Sequence, residues 1–251
     1  MGFAHISFYK ELSMGIDYLV SDYQVASDEK IEKRLRSGAL NSFMNGLPSI
    51  HLGIFDLDEC LVNIGIKWIT LMRDRKIIPP ISDEEVVKKA IQREDYYFYK
   101  SFGLDKECYE VYQDNPTFYD DLKPTLLGQT VNFMVKCKKM QAVILTHCVN
   151  GVVNESKKRF IDKYFPDIKT FYIMNGEPKS SIINKNRLNS YVTFCDDNIK
   201  NLMDVARNTM SFGKEFYVPR FGFNGEDKFA PEDLQYLADN GISLVYYRNV
   251  V

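Results

Sequence analysis

Two pairs of carboxylates each follow a short apolar run in the sequence. Asp56 and Asp58 follow one run, and Asp196 and Asp197 follow another. A carboxylate can attack a phosphorus centre and form an aspartyl-phosphate, and a second acid can protonate the leaving oxygen and then deprotonate water. We therefore predict Asp56 as the nucleophile. Asp58 is predicted as a general acid/base that reaches the same site if the chain bends there.

Clustered carboxylates repel one another, and a bound dication would offset that repulsion. Mg²⁺ prefers oxygen ligands and keeps several of its waters, so a few protein oxygens are enough to bind it. The ligands predicted here are Asp56, Asp196 and the backbone carbonyl of Asp58. The sequence therefore predicts a magnesium site beside the nucleophile.

A transferred phosphoryl group is negatively charged and needs hydrogen-bond donors or cations around it. Thr146 follows the apolar run Ala142–Leu145, and Lys179 lies between this run and the second carboxylate pair. Both are predicted phosphate binders. Lys185 is an alternative to Lys179, since it precedes Asp196 by 11 rather than 17 residues.

Apolar runs alternate with helical patterns along most of the chain, which predicts a parallel α/β sheet of the Rossmann-like type. Ligands of such sheets bind beyond the carboxyl ends of the strands, where the candidate residues lie. Predicted strands cover residues 50–55, 142–145, 171–173, 192–194, 216–218 and 243–246, and predicted helices include residues 152–164 and 199–207.

Three parts of the chain are distinguished by these patterns. The sheet and its helices are predicted to span residues 49–60 and 122–251. Residues 61–121 are too many for a loop and read as an inserted helical cap, with Ser82 as a helix N-cap. Residues 1–48 form an N-terminal extension, which includes a predicted helix over residues 28–43.

The composition excludes several classes of protein. The 32 basic and 34 acidic residues nearly balance, so no global field favours a nucleic acid polymer. No apolar stretch approaches the ~20 residues of a membrane-spanning helix, and no signal peptide is recognised. The five dispersed cysteines are typical of reduced thiols. We expect a soluble, cytoplasmic protein.

Four segments together resemble the motifs of the haloacid dehalogenase superfamily. "IFDLDECLVN" is similar to the first motif, Asp-x-Asp after an apolar strand, and "AVILTHC" to the second. "EPKSSII" resembles the third motif, a lysine that opens a helix, and "YVTFCDDNIKNL" resembles the fourth. Their order and spacing agree with the family over residues 50 to about 210. The stretch "NPTFYDDLKPTLLGQTVNFM" also resembles 5′(3′)-deoxyribonucleotidases.

The resemblance implies a Rossmann-like core, a helical C1 cap, Mg²⁺ and an aspartyl-phosphate intermediate. It gives the same roles to Asp56, Asp58, Thr146, Lys179 and Asp196 as the residue chemistry does. It adds a supporting role for the second acid of the fourth motif, Asp197. The first motif departs from the family pattern at Glu59, where Gly is common, and at Cys60, where Thr or Val is usual.

The predicted activity is a Mg²⁺-dependent phosphomonoesterase for a small phosphorylated metabolite such as a (deoxy)nucleoside 5′-monophosphate. Residues 96–99 of the insert are all aromatic, and a helical turn there would direct one ring inward to stack a base. The alternative is a weakly catalytic or non-catalytic binding or assembly protein. In that case residues 1–48 would dock a protein partner or a second copy of the chain.

Overall fold

A computed structural model describes residues 51–149, 151–174, 176–188, 193–209 and 215–247. The six strands in these ranges are β1 (His51–Phe55), β2 (Met140–His147), β3 (Lys169–Ile173), β4 (Thr193–Cys195), β5 (Glu215–Pro219) and β6 (Ser243–Tyr247). The extension 1–48 and its predicted helix lie outside the described residues.

Eight α-helices connect the strands or belong to the insert within the described ranges. They are α1 (Ile64–Asp74), α2 (Asp83–Gln92), α3 (Glu110–Gln113), α4 (Leu126–Lys136), α5 (Val153–Tyr164), α6 (Lys179–Lys185), α7 (Ile199–Asn208) and α8 (Pro231–Asp239). Short 3₁₀ turns lie at Lys100–Phe102, Lys106–Tyr109 and Glu226–Lys228.

All six strands are parallel and run in the order β3-β2-β1-β4-β5-β6. This is the strand order of doubly wound sheets, so the predicted α/β Rossmann-like class is confirmed. Strand order reverses between β1 and β4, and the crevice at such a switch point is where ligands bind in these folds. The first and fourth predicted motifs therefore end at the same crevice.

Helices cover both faces of the sheet, which explains why its strands read as continuous apolar runs. One core cluster packs Phe55 and Ile144 with Trp68 and Phe118 of the insert. The other packs Ile54 and Phe194 with residues of α6, α7 and α8. The insert thus shares one of the two cores of the sheet.

The insert leaves and rejoins the sheet domain at one place. Val62 forms an isolated bridge with Pro124, and the Thr125 amide donates to the Leu61 carbonyl at 2.9 Å. The Thr125 hydroxyl donates to the Cys60 carbonyl at 2.8 Å, which fastens the two connections together. These two joined connections restrict the orientation of the insert over the carboxyl ends of the strands.

Helices of the insert begin and end as its sequence dictates, with one exception. Ser82 caps α2 through a full capping box with Glu85. The prediction that residues 96–99 form a helical turn was wrong. The chain leaves the helical conformation at Arg93 (ψ 135°), and the Asp95 side chain accepts from the Tyr97 amide at 2.9 Å. This local hydrogen bond competes with helix continuation.

No helix among the described residues is long and apolar enough to cross a membrane. All five cysteines lie in these ranges, and none forms a disulfide.

Candidate active site

Asp56 is fixed at the carboxyl end of β1. Its amide donates to the carbonyl of Cys195 at 2.8 Å, which holds the end of β1 against β4. The residue is buried, and its Oδ1 lies 2.9 Å from Nζ of Lys179. Burial raises the pKa of Asp56, and Lys179 opposes that rise. Asp56 is therefore a buried carboxylate whose position is set by backbone and cation together.

Lys179 bridges the first and fourth motifs. It is the first residue of α6, it is fully buried, and its Nζ also lies 2.7 Å from Oδ2 of Asp196. Burial alone would lower the pKa of Lys179, but the carboxylates of Asp196 and Asp56 raise it above its ordinary value. Lys185, at the other end of α6, is exposed. Of the two candidate lysines, the structure places Lys179 at the carboxylates.

Asp196 is oriented by the start of α7. Its Oδ1 accepts from the Asn198 amide at 2.9 Å, and the Asn201 amide group donates to both of its oxygens at 3.1 and 3.2 Å. Asn198 also caps α7 through the Lys200 amide. The fourth motif is thus a strand end, an acid and a helix cap built as one unit.

Three carboxylates converge at the carboxyl ends of β1 and β4, where the sequence predicts a metal site. Oxygens of Asp56, Asp196 and Asp197 all lie within 4.8 Å of one another. Burial raises the pKa of Asp197 well above its ordinary value, and the charges of Asp196 and Asp56 raise it further. Asp197 Oδ2 is buried with no hydrogen-bond partner among the described residues. Lys179 lies beside two of these acids, Asp56 and Asp196, and the three carboxylates together would accommodate a further cation.

The Asp58 side chain turns away from those three acids. Its Oδ1 accepts from the Tyr119 hydroxyl at 2.7 Å, and its Oδ2 accepts from Nζ of Lys157 at 2.7 Å. Glu59, the next residue, has a φ of 61°. That left-handed conformation favours glycine, which accounts for the glycine common here in the family that the sequence resembles.

Lys157 is a buried functional candidate that the sequence motifs did not reveal. It lies on α5 and donates to the His147 carbonyl at 2.8 Å and to the Thr146 hydroxyl at 3.4 Å. Burial alone would lower the pKa of Lys157, but the Asp58 carboxylate raises it above its ordinary value. The one available signal was its place on the apolar face of α5, beside Val153, Phe160 and Ile161.

A cavity of about 100 Å³ lies between the strand ends and the insert. Asp58, His147 and Asp197 line it from the sheet domain, and Trp68, Arg93 and several aromatic residues line it from the insert. Tyr96 and Tyr97 are 40% and 44% exposed, whereas Phe98 is buried against Trp68 with ring centroids 4.7 Å apart. The insert therefore supplies an aromatic wall to a space that the candidate acid/base also borders.

Comparisons with known proteins give structural matches only. No protein-family model matches the chain, and no curated protein matches it. One similar solved structure is a predicted phosphatase from Clostridium acetobutylicum, with 12% identity, 78% of this chain and 93% of that chain covered, and a TM-score of 0.47.

Two further matches are similarly distant. A conserved haloacid dehalogenase-like protein of unknown function from Agrobacterium tumefaciens is 14% identical, with 80% and 94% of the two chains covered and a TM-score of 0.43. A phospho-aspartyl intermediate analogue of phosphoserine phosphatase is 12% identical, with 80% and 95% covered and a TM-score of 0.42. We draw no conclusion about activity from matches this distant.

Proposed function

We propose that this protein is a phosphomonoesterase that works through an aspartyl-phosphate on Asp56. The observation that carries the proposal is the buried position of Asp56 at the sheet switch point, where Lys179 joins it to Asp196. A purely structural aspartate at a strand end does not need a buried lysine and two further buried carboxylates. These residues, Asp56, Lys179, Asp196 and Asp197, come from the first, third and fourth of the sequence motifs.

In the first half of the reaction, an oxygen of Asp56 bonds to phosphorus while the bond to the leaving oxygen breaks, and Asp58 gives that oxygen a proton. In the second half, water attacks the phosphorus of the aspartyl-phosphate and gives its proton to Asp58. The Asp56 carboxylate is regenerated, and inorganic phosphate leaves. Lys179 stabilises the negative charge on the phosphoryl oxygens throughout.

Lys157 and Tyr119 have a positioning role in this scheme. Their two hydrogen bonds, each 2.7 Å long, fix both oxygens of Asp58. A third contact extends the arrangement, because the Tyr112 hydroxyl lies 3.0 Å from that of Tyr119. An acid/base held in one orientation needs no reorganisation when proton transfer begins.

The proposed cofactor is Mg²⁺, and the residues present fit it. Three buried carboxylates and the unsatisfied Asp197 Oδ2 form the hard oxygen set that this ion prefers. Asp56 and Asp196 would hold it, with the Asp58 carbonyl as the third predicted ligand and Asp197 supporting. When bound, the ion would neutralise charge on the phosphoryl oxygens.

The test is hydrolysis of p-nitrophenyl phosphate with Mg²⁺ and with EDTA. We expect Mg²⁺-dependent turnover, and loss of at least about 10³-fold in the Asp56→Asn variant because an amide cannot attack phosphorus. Asp162→Asn changes an exposed aspartate of α5 and serves as the matched control. Near-normal turnover by Asp56→Asn would refute the nucleophile.

A small metabolite is the substrate class that the cavity favours. Its volume of about 100 Å³ is below the ~300–1,000 Å³ of most drug-sized ligand sites. Nucleoside monophosphates remain a second candidate because the exposed rings of Tyr96 and Tyr97 border the cavity, where a base could stack. Comparing kcat/KM for deoxynucleoside monophosphates and sugar phosphates decides between them, and equal values would argue against a nucleotidase.

The assembly-protein alternative is favoured by the extension alone, and residues 1–48 lie outside the described residues. It predicts weak turnover or none with any phosphomonoester, so the same assay separates it from the proposed enzyme. Any protein partner or homo-oligomer formed through residues 1–48 stays a prediction.

A further inference from the structure

Arg93 is a buried cation between the insert and the sheet domain. Its guanidinium carbon lies 4.0 Å from the ring centroid of Phe98, 4.5 Å from that of Phe221 and 4.6 Å from that of Phe223. The residue is 4% exposed and lines the cavity that Asp58 also lines. Aromatic rings thus hold the guanidinium without using its hydrogen-bond donors.

The unused donors of Arg93 form one edge of its guanidinium. Nη1 donates to the Ala90 carbonyl, whereas Nε and Nη2 have no hydrogen-bond partner among the described residues. Nε–H and one Nη2–H point the same way and together match the two oxygens of a carboxylate. A buried donor pair without an acceptor is costly, so a ligand that supplies both oxygens would gain from filling it.

Glu59 is the acidic neighbour and does not fill this edge. Its Oε1 accepts from the Gly65 amide at 2.7 Å and lies 3.9 Å from Nη2 of Arg93, beyond hydrogen-bond distance. The nearest carboxylate therefore leaves the Nε and Nη2 edge of Arg93 without an acceptor among the described residues.

We propose that Arg93 binds a carboxylate on the leaving-group side of the substrate, so that the preferred substrates are phosphate esters of small hydroxy acids. This deepens the proposed function and rests on it. The limited cavity volume favours a carboxylate over a second phosphate, because a carboxylate is the smaller bidentate acceptor. The apolar side chains of Trp68 and Phe98 also line the cavity and would contact the short carbon chain of such a substrate.

The experiment compares two substrates that differ only in the charge of one group. The probes are 3-phosphonooxypropanoate and its primary amide, 3-phosphonooxypropanamide, assayed by phosphate release with the full chain. We expect a kcat/KM ratio of acid to amide of at least about tenfold in the wild type, because a charge-assisted bidentate pair is stronger than neutral hydrogen bonds.

Three variants locate the preference. In Arg93→Gln the kcat/KM ratio of acid to amide should fall to about one, even where both substrates are hydrolysed more slowly. Arg93→Lys keeps the charge without the paired donors, and its ratio should fall severalfold; it also serves if Arg93→Gln does not fold. Arg159→Gln is the control, because Arg159 is an exposed arginine whose guanidinium binds Asp120. Its ratio should equal that of the wild type.

Several outcomes would overturn the proposal. A wild-type ratio near one, with p-nitrophenyl phosphate hydrolysed, refutes the carboxylate site and leaves the phosphomonoesterase standing. An unchanged ratio in Arg93→Gln, with both substrates equally slowed, would assign Arg93 to the phosphoryl group instead. If no phosphomonoester is hydrolysed, the proposed function fails, and calorimetric titration with propanoate then tests the site alone. Binding lost in Arg93→Gln supports it, and binding retained refutes it.

Discussion

Replacing Lys157 by methionine should strongly destabilise the protein. The side chain fits the same space, but the change removes the donor to the Asp58 carboxylate and to the His147 carbonyl. Breaking a buried ion pair costs ~3–5 kcal/mol. The Asp58 side chain is 23% exposed, so water compensates part of that loss. We expect a decrease in the free energy of unfolding of about 3 kcal/mol.

Thermal and urea unfolding measure this loss directly. For a protein of this size, about 3 kcal/mol corresponds to a decrease in Tm of ~6–12 °C. Lys158→Met is the matched control, because Lys158 is the exposed neighbour on the same helix and should change Tm little. An unfolding free energy for Lys157→Met equal to that of Lys158→Met would contradict the assigned role.

A double-mutant cycle separates the ion pair from other effects of the substitution. Combining Lys157→Met with Asp58→Asn should lower the free energy of unfolding by less than the sum of the two single changes, because each single change leaves the other residue without its oppositely charged partner. We expect a coupling energy of ~1–3 kcal/mol. Additive losses would mean that Lys157 stabilises the fold through its packing and its carbonyl contact alone.

Two further predictions concern buried charges of the site. Lys179→Met should abolish turnover and lower the free energy of unfolding by ~3–5 kcal/mol, because it leaves two buried carboxylates without their shared cation. Lys185→Met should change both quantities little. Equal effects of the two substitutions in activity and unfolding assays would refute the choice between these lysines. Burial raises the pKa of Glu59 from 4.5 to about 7 in the folded protein. The contribution of Glu59 to the free energy of unfolding is therefore fully present below pH 4.5 and is lost as the pH rises through 7. In EDTA, the free energy of unfolding of Glu59→Gln relative to that of the wild type should therefore increase by ~2–3 kcal/mol as the pH rises from 5 to 8. Curves of Tm against pH that stay parallel over that range would contradict this prediction.

The sheet and the placement of its acids could be predicted because both depend on local patterns. Runs such as Ile54–Phe55 and Phe194–Cys195 are buried on both faces, so they are apolar throughout and end where polar residues begin. Parallel strands bring their carboxyl ends to one edge, and the acids that follow them must meet there. The predicted bounds of β2, β3, β5 and β6 were shorter than the observed ones, most of all for β2, which runs from Met140 to His147.

Lys157 and the path of the insert could not be predicted in the same way. Lys157 lies 99 residues from Asp58, and a lysine on an amphipathic helix gives no sign that a carboxylate will meet it. The aromatic run at residues 96–99 fitted a helical turn by periodicity. The Asp95 side chain, which accepts from the Tyr97 amide, instead stabilises a bend. Both features depend on side-chain hydrogen bonds that periodicity does not encode.

Gly222 brings the backbone of the sheet domain into close contact with the backbone of the insert next to Arg93. Its amide donates to the Ile91 carbonyl at 3.1 Å, and a Cβ there would lie 2.6 Å from the Arg93 carbonyl oxygen. Backbone cannot yield as a flexible side chain can, so Gly222→Ala should separate the two segments and cost ~1–3 kcal/mol.

The same separation should change specificity, because Phe221 and Phe223 on either side of Gly222 hold the Arg93 guanidinium. We expect Gly222→Ala to lower the kcat/KM ratio of 3-phosphonooxypropanoate to its amide. Gly103→Ala is the control: at φ 62° it is strained by ~1 kcal/mol, but its Cβ would meet nothing within 4 Å, so the ratio should not change. A ratio preserved in Gly222→Ala despite a lower Tm would show that the contact stabilises the fold without orienting Arg93. Specificity would then have to reside in the insert alone.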